Sequence, residues 1–131
     1  MAALYVGFGC RRGCPAAVLE TLLHLALASN CLTLPALRGI ASIDLKAQEP
    51  GLRQLAEQLG LPLTLYSAQQ LQPFLPLLSH RSEMAFNTTG CWGVAESAAL
   101  ALAASEGQRS PILTVTRQVL GDATLALASN G

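Results

Sequence analysis

The sequence predicts an α/β fold, a three-layer α/β/α domain around a mostly parallel or mixed sheet. Three observations predict it. Short apolar runs alternate with helical stretches in the order β-α-β-α-β-α up to residue 78, and that alternation favours layered architecture. Two β-rich runs, Pro111 to Thr116 and Thr124 to Ala128, bracket Gly121-Asp122 as a hairpin able to join the main sheet. Apolar residues form 51% of 131 residues, enough for a single domain over 1–131 that buries roughly two-thirds of the surface its unfolded chain exposes.

Leu4-Tyr5-Val6-Gly7-Phe8-Gly9 reads as a short buried strand running into a glycine loop. Pro15 suits the first turn of the helix that follows, to Ser29, because its missing N–H is no loss there. Val18, Leu19, Leu22, Leu23, Leu25 and Ala26 cover most of that helix, which predicts extensive burial, with Glu20 and His24 one turn apart on the remaining face. After a turn at Pro35, residues 39–44 form the second strand, and alternation sets Asp44 and Lys46 on one side. Glu49-Pro50 opens a helix through Leu52, Leu55, Ala56 and Leu59, closed by Gly60, before a third strand from Pro62 to Tyr66. Ser67 caps a helix with Leu71, Phe74, Leu75 and Leu78 that Pro73 and Pro76 shorten or kink. Ser79 to Asn87 is the most polar stretch and is expected to be a surface loop. Thr88 to Gly93 is a second glycine-punctuated turn, opening a helix from Val94 to about Ser105 with Glu96 in its first turn.

Composition excludes several functions. Eight basic and eight acidic residues give zero formal charge, which removes the electrostatic footprint of a nucleic-acid binder. The apolar run from Thr21 to Leu37 is interrupted by His24, Asn30 and Pro35 and is shorter than the ~20 residues that span a bilayer. Met1 to Tyr5 has no secretory pattern, so a cytoplasmic protein is expected, with Cys10, Cys14, Cys31 and Cys91 as reduced thiols. The cysteine spacing matches no zinc pattern, so neither a metal nor a cofactor is expected. With only 12% charged residues, the surface favours broad apolar contact with a ligand or a second copy in a homo-oligomer.

The loop Gly7-Phe8-Gly9-Cys10-Arg11-Arg12-Gly13 is the leading site candidate. Its glycines allow close backbone approach, while two guanidinium groups and the following helix N-terminus favour an anion. Lys46 is the only lysine among the eight basic residues. In layered α/β folds, crevices open outside the carboxyl ends of strands, where the first loop, the Asp44-Lys46 segment and the Gly90 turn are expected to meet. The ligand-binding candidates are therefore Gly7, Gly9, Cys10, Arg11, Arg12, Gly13, Asp44, Lys46, Glu49, Gly90, Gly93 and Glu96. For Glu96 the alternatives are dipole capping, ligand contact and proton transfer.

Three motifs carry a family resemblance: Gly7-x-Gly9-Cys10-Arg11-Arg12-Gly13, the segment from Ala41 to Leu52 with Asp44, Lys46, Glu49 and Gly51, and Gly90-x-x-Gly93-Val94-Ala95-Glu96-x-Ala98-Ala99. With the Thr124-Leu125-Ala126 ending, they resemble the CobE and CbiG C-terminal domain family of cobalamin biosynthesis. The resemblance covers nearly the whole chain. It implies a cytoplasmic, stand-alone protein of the corrin-ring pathway, of the aerobic branch, that meets a corrin or precorrin intermediate and other pathway enzymes. A complete CbiG also has an N-terminal region and opens a lactone on cobalt-precorrin-5A with loss of acetaldehyde. Gln48 stands where the family often has an acidic residue beside Glu49, which argues against a carboxylate pair there.

Three functions compete under that resemblance. A carrier or accessory protein would hold the carboxylate-rimmed ring with Arg11, Arg12, Lys46 and an apolar floor. A hydrolase would use Asp44 or Glu96 as general acid/base, Lys46 to orient or polarise a carbonyl, and Cys10 as nucleophile. A structural subunit would organise pathway enzymes without a small ligand.

Overall fold

The computed structural model describes residues 3–10, 13–44, 49–107 and 110–130. Strands β1 (Leu4–Cys10), β2 (Leu37–Ile43), β3 (Leu63–Tyr66), β4 (Ile112–Leu120) and β5 (Ala123–Ser129) form one sheet in the order β3-β2-β1-β5-β4. β1, β2 and β3 are parallel, whereas β5 lies antiparallel to both β1 and β4. The closing hairpin therefore inserts β5 against β1 and leaves β4 at the edge.

Period-two alternation sorts β1 between two cores. Leu4, Val6 and Phe8 pack with Leu125, Leu127 and the buried residues of α1 (Ala16–Ser29) and α2 (Pro50–Leu59). Tyr5 packs on the opposite side with Ala126, Ala128 and α5 (Val94–Glu106). These are the three layers the alternation predicts. Each fully buried leucine or phenylalanine contributes ~1.5–3 kcal/mol, so Phe8, Leu19, Leu23, Leu125 and Leu127, all 0% exposed, dominate the first core.

The second core is built from small residues. A Cβ on Gly7 would lie 2.0 Å from the Ala95 carbonyl oxygen and 2.6 Å from the Ala99 nitrogen, so α5 rests directly on β1. Ala95, Ala98, Ala99 and Ala103 keep the helix close along its length. Gly51 does the same for the other layer, since its Cβ would meet the Cys14 carbonyl oxygen at 2.2 Å.

Several local expectations are met. Gly60 ends α2 in the left-handed region, and Ser67 with Gln70 forms a reciprocal capping box on α3 (Ala68–Leu71), which runs into a 3-10 turn containing Pro73 and Pro76. Other local expectations need correction. The polar stretch after Ser79 is partly helical: α4 (Glu83–Thr89) starts where the Ser82 hydroxyl accepts the Ala85 N–H and ends at Gly90 with φ +79°. Its signals are caps without apolar periodicity, because the helix buries no residue. In α1, Leu25 is 52% exposed and Leu27 is buried, so that helix hides one face only. Among the described residues, no helix is long and apolar enough to cross a membrane.

Candidate functional site: a cleft at the end of strand β1

A cleft of about 560 Å³ opens at the carboxyl end of β1. That volume lies within the ~300–1,000 Å³ range of small-molecule sites. Gly9 and Cys10 contribute from β1, Glu49 from the approach to α2, and Gly93, Val94, Ala95 and Glu96 from the start of α5. Met84, Ala85, Thr88 and Thr89 of α4, together with Trp92, supply much of its apolar and hydroxyl lining. His80, Ser82, Arg117, Asp122 and Thr124 complete it. Trp92 is fixed by stacking on Phe86, with ring centroids 4.5 Å apart.

Glu96 is only 1% exposed and organises one side of this cleft. Its Oε1 accepts the backbone N–H groups of Ser79 at 2.9 Å and His80 at 3.3 Å. Oε2 accepts the Arg117 N–H at 3.0 Å and the Ser79 hydroxyl in a short hydrogen bond. A buried carboxylate without such donors would be strongly disfavoured. Four donors from two segments replace its water shell, so Glu96 fastens both segments to α5.

The Ser79 hydroxyl also lies 2.6 Å from His80 Nδ1. With the single Ser79 proton directed to Glu96, the Nδ1–H tautomer of His80 donates to the hydroxyl and leaves Nε2 as an acceptor. The chain His80-Ser79-Glu96 can therefore orient an imidazole for proton transfer at Nε2.

Glu49 also lines the cleft, and its Oε2 accepts the Gly13 N–H at 2.9 Å. Glu49 is 8% exposed, and Gly13 has φ +82°, a conformation suited to glycine. This bond ties the far end of the first loop to the start of α2. Positive φ belongs to Gly13 and not to Gly9, which lies within β1 and whose carbonyl accepts the Thr124 hydroxyl at 3.2 Å.

The sequence candidates thus fall in different places. Gly9, Cys10, Glu49, Gly93 and Glu96 line one cleft, and Gly13 is bonded to a lining residue. Gly7 lies beneath α5, Asp44 is exposed just beyond β2 and is not a lining residue, and Gly90 lines a separate pocket of about 160 Å³ beside α3. Arg11, Arg12 and Lys46 lie outside the described residues. Among the described residues, no group of three or more histidine, cysteine or acidic side chains is arranged to hold a metal. Sequence reasoning missed His80 and Arg117. An adjacent serine and histidine, and one arginine just beyond the β-rich run Pro111 to Thr116, carry no local sign of a shared carboxylate.

Residues 4–128 match the family described as cobalamin synthesis G C-terminus. The chain belongs to that family. It is a cobalamin-biosynthesis pathway protein, similar to Protein CobE of Sinorhizobium sp, with 39% identity over 97% of this chain and 80% of that protein. The crystal structure of CobE, a protein from the cobalamin (vitamin B12) biosynthetic pathway, superposes with a TM-score of 0.93 and 41% identity, covering 98% of this chain and 90% of that one. A cobalt-precorrin-5A hydrolase of Priestia megaterium is 30% identical over 95% of this chain, but the match spans only 32% of the hydrolase. The cobalamin synthesis G C-terminus family is thus found both in a short protein and within a much longer hydrolase.

Proposed function

We propose that this member of the family binds a corrin or precorrin intermediate in the cleft at the end of β1, as a carrier or accessory protein. The observation that carries the proposal is the meeting of the three motifs there: Gly9 and Cys10 from the first, Glu49 from the second, Gly93 and Glu96 from the third. A corrin precursor is a broad, partly apolar ring rimmed by carboxylates. Met84, Ala85, Trp92 and Val94 offer it apolar contact, and Arg117 offers a cation in the same cleft. Arg11 and Arg12 follow Cys10 directly in sequence and supply further positive charge. Each charge-assisted hydrogen bond contributes ~1.5–3 kcal/mol, against an association cost of ~4–15 kcal/mol, so burial of the ring face supplies the remainder.

Titration with cobyrinic acid, followed through its visible absorption, tests this reading. A saturable spectral shift is expected. The absence of a shift with cobyrinic acid and with precorrin intermediates would overturn it. A second reading, hydrolysis of a precorrin lactone, is favoured by the His80-Ser79-Glu96 chain, whose Nε2 can take a proton from water at the cleft. Product formation during incubation with a precorrin lactone would support that reading, and spectral binding without turnover would leave the carrier.

A further inference from the structure

We infer that Arg117 is the residue that selects corrins carrying free carboxylates over their amidated counterparts, an assignment that rests on the corrin-binding reading above. Val115 pairs with Leu127 and Gln118 with Leu125, so Thr116 and Arg117 together oppose the single residue between those partners. This is a β-bulge, a device that re-aims a side chain. Val115, Leu125 and Leu127 face the α1 and α2 core. Regular alternation would send Arg117 to that same apolar side, two residues beyond Val115. The bulge turns it to the α5 side instead, where it lines the cleft.

The bulge also frees the Arg117 N–H from the strand ladder, and Glu96 accepts it. The Arg117 Nε is buried and has no hydrogen-bond partner. An unmade bond on a buried cationic donor is unfavourable, but an Nε sealed from water is equally sealed from a ligand in the cleft, so a carboxylate is met by the part of the Arg117 side chain that lines it. Three carboxylates line the cleft with Arg117: Glu49 and Glu96 accept protein donors, Asp122 has a partner as well, and none of the three is hydrogen-bonded to the Arg117 Nε. A planar guanidinium matches a carboxylate fork, and a neutral amide returns much less.

The test uses the full chain and two probes with the same ring, dicyanocobyrinic acid with free carboxylates and dicyanocobinamide with amides. The parent is expected to bind the acid at least tenfold more tightly. Arg117→Met keeps the length of the side chain but has no donor. It should bind the acid about tenfold or more weakly, bind the amide as the parent does, and melt no lower, because it removes an unpartnered buried N–H. Arg117→Lys should recover only part of the acid affinity, since it lacks the fork. A parent with equal affinity for both probes, or a methionine variant that loses both alike, overturns the Arg117 assignment and leaves corrin binding standing. A parent that binds neither probe nor any precorrin overturns the corrin reading and this assignment with it.

Discussion

The Arg117 N–H donates to Glu96 Oε2 at 3.0 Å, joining the bulge of β4 to the first turn of α5 across 21 residues of sequence. The same carboxylate holds Ser79 and His80, so one acidic side chain sets the relative position of three parts of the cleft. A glutamate in a first helical turn is usually explained by the helix dipole. Here the dipole accounts for its tolerance, and the four hydrogen bonds account for its burial.

Glu96→Ala should therefore be strongly destabilising. It strands the amides of Ser79, His80 and Arg117 and the Ser79 hydroxyl, at ~1–3 kcal/mol for each donor that water does not reach. A loss of about 3 kcal/mol or more is expected from urea denaturation, with Glu96→Gln losing ~1–3 kcal/mol because its NH2 opposes a donor. The glutamine variant should also lose preference for carboxylated over amidated corrin, which a purely structural role would not alter. An alanine variant with the parent's denaturation midpoint would refute the clamp.

Gly7→Ala probes the contact between α5 and β1. Its methyl group would meet backbone atoms of Ala95 and Ala99, which cannot rotate away, so the helix must lift from the sheet. A loss of about 3 kcal/mol, the upper end of ordinary overpacking, is expected by chemical denaturation. Gly9→Ala should lose less, because the nearest atom to its new Cβ is the Thr124 hydroxyl at 2.7 Å, a side-chain group that yields by giving up its bond to the Gly9 carbonyl, where Gly7 meets backbone. Equal losses for the two variants would contradict this account.

The sequence and the structure agree where the signal is local. Gly60 directly follows a periodic apolar helix, and Ser67 precedes one with Gln70 at the capping-box position, so both boundaries could be read residue by residue. α4 was not legible because its caps enclose a helix with no buried face. Gly7 was visible as a glycine, but conformational freedom and close packing leave the same letter in the sequence, and only the proximity of Ala95 separates them. The meeting of Glu96 with Ser79 and Arg117 was equally hidden. It depends on a β-bulge and on the insertion of β5 beside β1, neither of which has a fixed residue pattern.

Two helix ends provide a matched test of backbone strain. α1 and α2 both close with paired hydrogen bonds: Leu32 N–H to Leu27 and Cys31 N–H to Ala28, and Leu61 N–H to Ala56 and Gly60 N–H to Glu57. The left-handed residue is Gly60 in α2 but Cys31, with φ 56°, in α1. A side chain there is unfavourable, and Cys31 is exposed, so little packing is lost on replacing it. Cys31→Gly should raise stability by ~0.5–1 kcal/mol despite the greater freedom of glycine in the unfolded chain. Differential scanning calorimetry should register a higher Tm, and a lower one would show that the Cys31 side chain contributes more than its backbone strain takes away.

The first loop is held at both ends, since Cys10 lines the cleft and Gly13 is bonded to Glu49. Arg11 and Arg12 lie between those anchors in sequence. If they hold ligand carboxylates, Arg11→Ala with Arg12→Ala should weaken cobyrinic acid binding by ~2 kcal/mol or more, about thirtyfold, with little change in Tm. Added salt should shrink the difference between parent and variant, because ions screen the attraction between guanidinium and carboxylate charges. Glu49→Gln should behave differently. It replaces a charge-assisted bond to Gly13 with a neutral one, so binding and melting temperature should both fall modestly. Measuring all three proteins at two salt concentrations separates direct charge from loop placement. Undiminished binding by the double-arginine variant at low salt would remove these arginines from the site and leave its positive side to Arg117.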